Sequence, residues 1–250
     1  MQDSTIKNLL IKLAPFVFFI FVWKLAAVLV SSEIILPTPE KTLASLCALL
    51  QTRGFWSNIT VTITRGLAGF LLSLAVGLVV GLVIGLNKTA NILLQPLIIL
   101  CRSTPLMSII LITLIWLKTE HVPIFVSFLI SFPIICGNVT EGIKNVDSKL
   151  VEMAFTYKVK KIRVLNEVYL PSLVPYLLAG ISNAMGIGWK VVIAAEVLSH
   201  PRFGIGTRLQ YEKINLETAS VFAWTIVALI ISFAFENFIR VVEKKVLSWR

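Results

Sequence analysis

Few side chains in this sequence have the chemistry to act on another molecule, and those that do lie in apolar surroundings. Arg102, followed by Ser103 and Thr104 and then by Pro105, interrupts one apolar run. Lys190 and Glu196 interrupt another, and Lys24 lies near the end of a third. A charge inside a membrane-crossing segment is a functional candidate, because lipid disfavours it unless it is paired or faces water. Arg102 and Lys190 therefore have two readings. Either they pair with carboxylates and helix carbonyl ends inside a bundle, or they line a path that favours an anion. Glu196 is the one deep carboxylate that could couple transport to an ion gradient. Lys24 is expected to snorkel to the nearby surface.

Other chemistries find no residues to support them. His121 and His200 lie far apart without ligand spacing, and Cys47, Cys101 and Cys136 form no CxxC pair, so no metal site or disulfide framework is read. No G-x-x-x-x-G-K-[ST] run occurs, so the phosphate cradle needed for ATP hydrolysis by that route is missing. No resident cofactor is expected.

The elements that must position these residues follow from composition. Of the 250 residues 57% are hydrophobic and 14% are charged, with a mean hydropathy of +0.88. Soluble domains carry about 25% charged residues, so the chain reads as an all-α integral membrane protein, since helices satisfy their own backbone in lipid. The net charge of +10 fits basic cytoplasmic loops and not nucleic acid, because no basic patch lies outside loops and termini. Six spans are predicted, at roughly 13–31, 62–86, 92–117, 122–139, 175–199 and 218–241, within a single domain over 1–250. Pro96, Pro105 and Pro133 are expected to kink or break helices locally. The first run is longer than a signal-peptide core and lacks a clean cleavage site, so it is read as a span. With the N-terminus inside, the inner segments hold thirteen Lys and Arg and the outer ones six. Both termini are therefore expected in the cytoplasm.

Two polar stretches are patterned. Outside, "LPTPEKTLASLCALLQ" predicts a short interfacial helix, capped by Thr38 or Thr42, with Leu43, Leu46 and Leu50 on one face. Inside, the loop 140–174 contains a basic amphipathic segment. Leu150, Met153, Ala154 and Tyr157 fall at helical spacing, and so do Val159, Ile162, Leu165 and Tyr169, with Lys158, Lys160, Lys161, Arg163 and Glu167 between them. Pro171 suits the first turn of the next helix. The pattern predicts helix, turn, second helix and re-entry. Its apolar face needs a cover. That cover is the inner leaflet in one reading and a groove on a soluble partner in the other.

Small residues recur every fourth position at Gly69, Ser73, Gly77, Gly81 and Gly85, and again at Gly180, Ala184 and Gly188. Such stripes let helix backbones approach closely, as static packing or as a seam along which helices shift. Glu236 and Arg240 are spaced for a local pair. In "SHPRFGIGTRLQYEKI", Arg202 and Arg208 are either plain loop charges or contacts for an acidic partner.

Several of these blocks carry a resemblance. Glu152-Met153-Ala154 with Leu170-Pro171 resembles the EAA loop of ABC importer membrane subunits. "ILPTPEKTLASL", "TITRGLAGFLLSLAVGLVVGLVIGL" and "GWKVVIAAEVLS", in that order, are similar to the nitrate, taurine and alkanesulfonate branch of binding-protein-dependent permeases. The resemblance implies a type I importer-like fold in a bacterial inner membrane. It also implies a coupling helix, carried by Glu152, Met153, Ala154, Tyr157, Lys158, Leu170 and Pro171, that docks on a dimer of ATPase subunits. Those subunits would hold the ATP and Mg. A periplasmic or lipid-anchored solute-binding protein and a second permease copy, forming a homodimer, are implied as well. The expected cargo is a small anionic or polar organic solute, moved by alternating access. Lys158 stands where the family has glycine, so it is strained if the turn needs positive φ. A gradient-driven transporter and a membrane scaffold are the alternatives.

Overall fold

The computed structural model describes residues 2–247, and the side chains of 14–246. Eleven helices and one π-helical turn account for most of it, with no strand among the described residues. They are α1 (Gln2–Val30), α2 (Pro39–Leu50), α3 (Gly54–Leu86), α4 (Lys88–Ser103), α5 (Leu106–Trp116) and α6 (Val122–Lys144). Then follow α7 (Ser148–Thr156), α8 (Lys161–Val164), the π-turn Leu165–Tyr169, α9 (Leu170–Ser199), α10 (Ile205–Ile214) and α11 (Thr218–Leu247).

The centre of the bundle is α6, clasped between α3 and α9. The glycine stripes explain why. A Cβ at Gly81 would lie 2.7 Å from Val139 Cβ and 2.9 Å from the Cys136 carbonyl oxygen, both on α6. Gly69, Gly77 and Gly85 meet Ser127, Ile135 and Ile143 in the same way. On the other flank Gly180 meets Asn138, and Gly188 meets Ser131. Glycine thus brings both neighbouring backbones onto α6, where van der Waals packing and short side-chain bonds replace the hydrophobic drive that lipid removes. The bonds from Ser73 Oγ to Phe128 O (3.0 Å) and from Ser131 Oγ to Ala184 O (3.3 Å) are of this kind.

Four helices are long and apolar enough to cross a membrane: α3, α6, α9 with its preceding turn, and α11. The apolar part of α1, Ala14–Val30, is shorter. The expected third span, 92–117, is not one helix. It divides into α4 and α5, which meet at 101°. Thr104 precedes Pro105 and is extended (φ −70°, ψ 128°), as the clash with a following proline ring demands. A composition window cannot distinguish such a break from a kink.

Other boundaries moved as well. The helix read from 62 starts at Gly54, and the one read to 139 runs on to Lys144. Little of the 140–174 loop is therefore irregular. Its second helix does not end before re-entry, because α8 passes through the π-turn straight into α9. Pro171 lacks an N–H and its ring crowds the carbonyl four residues back. The chain answers with a widened turn, in which Leu170 N–H bonds to Leu165 O.

At the opposite end, Thr38 caps α2, accepting from Lys41 N–H at 3.4 Å. The inward face of α2 is Thr42, Leu46 and Leu49, packed towards α11, whereas Leu43 and Leu50 point outwards. The expected Leu43–Leu46–Leu50 face is rotated because α11 covers one side of the helix. Lys24 reaches Glu40 at 2.5 Å, which ties α1 to α2.

Candidate functional site

The hairpin at the α6–α9 end is built by local rules. Asp147 caps α7, accepting from Lys149 N–H at 2.9 Å. The helix stops in a Schellman turn, with Val159 N–H donating to Ala154 O at 2.9 Å and Lys158 N–H to Phe155 O at 3.0 Å. That closure requires a left-handed residue, and Lys158 supplies it at φ +53°. The position is one glycine takes without cost. Arg163 and Glu167 pair at 2.8 Å, one turn apart along the second limb.

The apolar residues of this hairpin divide into two sets. Ala154 and Val164 are buried, while Met153 is 53% and Tyr157 77% exposed, with Leu150, Phe155 and Ile162 also open. Ala154 therefore faces inwards and does not share the outer face with Leu150, Met153 and Tyr157. Glu152, Lys158 and Leu170 are exposed, and Pro171 at the base is partly covered. Between the limbs runs an apolar groove of about 590 Å³ that includes Leu86, Val151, Phe155 and Tyr169.

The intramembrane charges go to three separate places. Lys190 lines a cavity of about 310 Å³ between α9 and α11, with Ser182, Asn183, Ser232 and Glu236. Glu236 also holds Arg240 at 3.1 Å. Arg102 lines a different cavity, of about 200 Å³, between α4 and α6. Ser103 and Thr104 turn their hydroxyls back to Leu100 O, at 3.3 and 2.6 Å.

Glu196 lines neither cavity. It is wholly enclosed, and Arg65, 5% exposed, is its partner. Arg65 Nη1 donates to Glu196 Oε1 at 2.8 Å and to Phe203 O at 2.6 Å, and Nη2 pairs with Glu120. Thr62 Oγ1 bonds the same carboxylate at 2.9 Å, and Gly206 N–H donates to it at 3.0 Å. Gly204 sits against it at φ +152°, where a Cβ would fall 2.6 Å from Glu196 Cδ. Glu120 accepts from Arg202 N–H at 2.8 Å, and Asn58 Oδ1 accepts from Gly204 N–H at 2.9 Å. This network fastens α3, the turn before α6, and the α9–α10 turn into one block. The sequence reading missed Arg65, Thr62, Asn58 and Glu120. Arg65 carried a signal, since it is a cation inside an apolar helix and asks for a partner.

Long apolar helices around a central α6, with polar cavities between them and an apolar-faced hairpin at one end, define a multi-pass helical membrane protein. The family described as binding-protein-dependent transport system inner membrane component matches residues 73–248, and the chain belongs to it. A protein of Methanocaldococcus jannaschii named as an ABC transporter permease is 30% identical over 249 residues, 98% of this chain and 93% of the relative. The taurine transport system permease protein of Escherichia coli is 28% identical over 233 residues, 91% of this chain and 84% of the relative. In fold, the chain is similar to a subunit of the MetNI methionine ABC transporter in an inward-facing conformation. The TM-score is 0.53 at 18% identity, covering 76% of this chain and 94% of that one. The chain is therefore a permease component of an importer that works with a binding protein, in an inner membrane.

Proposed function

We propose that this chain forms the translocation path of an ATP-driven importer and is moved by ATPase subunits gripping the 148–165 hairpin. The observation that carries the reading is the hairpin itself. Met153, Tyr157, Leu150 and Ile162 stand exposed on a hairpin whose turn is closed by backbone bonds from Tyr157, Lys158 and Val159, which is the arrangement of a knob awaiting a groove. In this reading the hairpin and both termini face the cytoplasm. The spans number six when α4 and α5 count as one and α1 is counted with them, beside the four long helices α3, α6, α9 and α11. A second copy completes the path, and a binding protein delivers a small anionic or polar solute to the α10 end. This chain does no chemistry, and ATP and Mg belong to the partner. ATP-driven closure of the ATPase pair would draw two hairpins together and switch the bundle by rigid-body motion, provided the ATP-bound pair prefers one state over the other.

Lys190 is the residue proposed to favour an anion. Its cavity offers an ammonium, two hydroxyls and an amide between membrane-crossing helices, and its carboxylate, Glu236, is paired with Arg240, a lining that lipid would not tolerate but water and solute would. A gradient-driven mechanism needs a carboxylate open to water, and Glu196 is enclosed. The test is co-purification. The wild-type chain should bring down its ATPase, whereas Met153→Asp combined with Tyr157→Asp should release it and leave the chain folded. Retained ATPase on that folded double variant would overturn the reading.

A further inference from the structure

The two unpaired cations suggested one path in the sequence, yet the structure puts them in different cavities. Arg102 makes no ion pair or hydrogen bond among the described residues, and it lies fourteen residues, about 21 Å, along α4 from Lys88. Arg102 is exposed on α4, and between apolar helices an unpaired guanidinium is costly unless water or an anion reaches it. The cavity beside it is lined by Asn91, Gln95, Thr140, Glu141 and Lys144 as well. Its formal charge is +1, from Arg102 and Lys144 against Glu141. The Glu141 carboxylate accepts from Asn145 Nδ2 at 2.9 Å and makes no ion pair with either cation among the described residues, so one positive charge is left in excess. At the far end Asn91 Oδ1 is buried without a partner, an acceptor that a water sharing the cavity would satisfy by donating to it. Its volume of about 200 Å³ is room enough for several waters. Gly137 keeps the wall open, since a Cβ there would come no nearer than 4.0 Å to Arg102 Nη1.

We infer that the α4–α6 cavity is a second anion site, separate from the Lys190 cavity. It would take one small monoanionic oxyanion head, such as a sulfonate, a carboxylate or a phosphodiester. Arg102 is the principal ligand, with Gln95 as a neutral donor and Lys144 closing the end nearest the hairpin. The head belongs either to a free solute or to an anionic lipid reaching in from the side. The inference does not depend on ATPase docking, and it is tested on the full chain without partners.

The experiment uses Gly137→Cys with Cys47, Cys101 and Cys136 replaced by Ser, in nanodiscs of phosphatidylcholine. The rates of reaction with anionic sulfonatoethyl and cationic trimethylammonioethyl methanethiosulfonate are compared. The anionic reagent should react faster, and Arg102→Gln should lower the anionic-to-cationic rate ratio by about tenfold or more, whereas Arg102→Lys should keep it. Protection by millimolar methanesulfonate identifies a free anion as occupant. Protection only when phosphatidylglycerol is added to the nanodiscs identifies a lipid headgroup. A ratio that Arg102→Gln leaves unchanged, or protection in neither arm, overturns the site. So does an engineered thiol that reacts only after denaturation.

Discussion

Adding one methyl group to Gly81 should push α3 away from α6, whereas the same methyl on Gly186 should not. A Cβ at Gly81 would lie 2.7 and 2.8 Å from Val139 Cβ and Cγ1 and 2.9 Å from Cys136 O. Carbon atoms rest at about 3.5–4.0 Å, so the helices must part locally by about 1 Å. The backbone oxygen has no rotamer with which to escape. Gly→Ala in a helix gains about 1 kcal/mol in propensity. Overpacking a tight contact costs about 1–3 kcal/mol, and the parting also loosens Gly77 and Gly85 along the same seam. Gly81→Ala should therefore lose about 0–2 kcal/mol net. At Gly186 nothing lies within 4 Å, so Gly186→Ala should keep the propensity gain. Thermal unfolding in detergent micelles, followed by the fluorescence of the buried Trp189 and Trp224, measures the difference. The reasoning fails if Gly81→Ala proves at least as stable as Gly186→Ala.

Arg65→Met should cost about 3–5 kcal/mol, because it leaves the enclosed Glu196 charged and unpaired. Arg65→Met with Glu196→Leu should recover much of that loss in the same unfolding assay, whereas additive losses would mean that the pair is not the source. Lys158→Gly should relieve a left-handed residue worth about 1–2 kcal/mol. Part of that is offset by about 0.4–1 kcal/mol of added freedom in the unfolded chain. The hairpin should become slightly more stable with ATPase binding unchanged, and a drop in melting temperature would contradict the strain at φ +53°. Lys190→Met should abolish uptake in the reconstituted importer while assembly persists, and normal uptake would remove Lys190 from the path.

Much of the fold was legible because lipid leaves so few options. Twenty or so apolar residues must be a helix, and Gly77, Gly81 and Gly85 at fourfold spacing must meet something closely. The hairpin was legible too, since capping and turn chemistry are local. The helix–turn–helix pattern and the strain expected at Lys158 were read from a dozen neighbouring residues, and the structure added the Asp147 cap and the Schellman closure. The reading failed where a contact joined distant parts of the chain. Arg65 and Glu196 are 131 positions apart, and no local pattern links them. Pro105 announced a disturbance, but the 101° between α4 and α5 depends on what each half packs against.

The sequence by itself determined the class of protein, the helical stretches and the helix–turn–helix hairpin with its apolar face, because burial in lipid, backbone satisfaction and helix capping are short-range demands. Only the tertiary structure decided which charges are partners and which are free. It sealed Glu196 beneath Arg65, and it set Lys190 and Arg102 in different cavities. The physical reason is that the environment of an ionisable group is made by whichever helices close around it, and that choice is fixed by packing across the bundle.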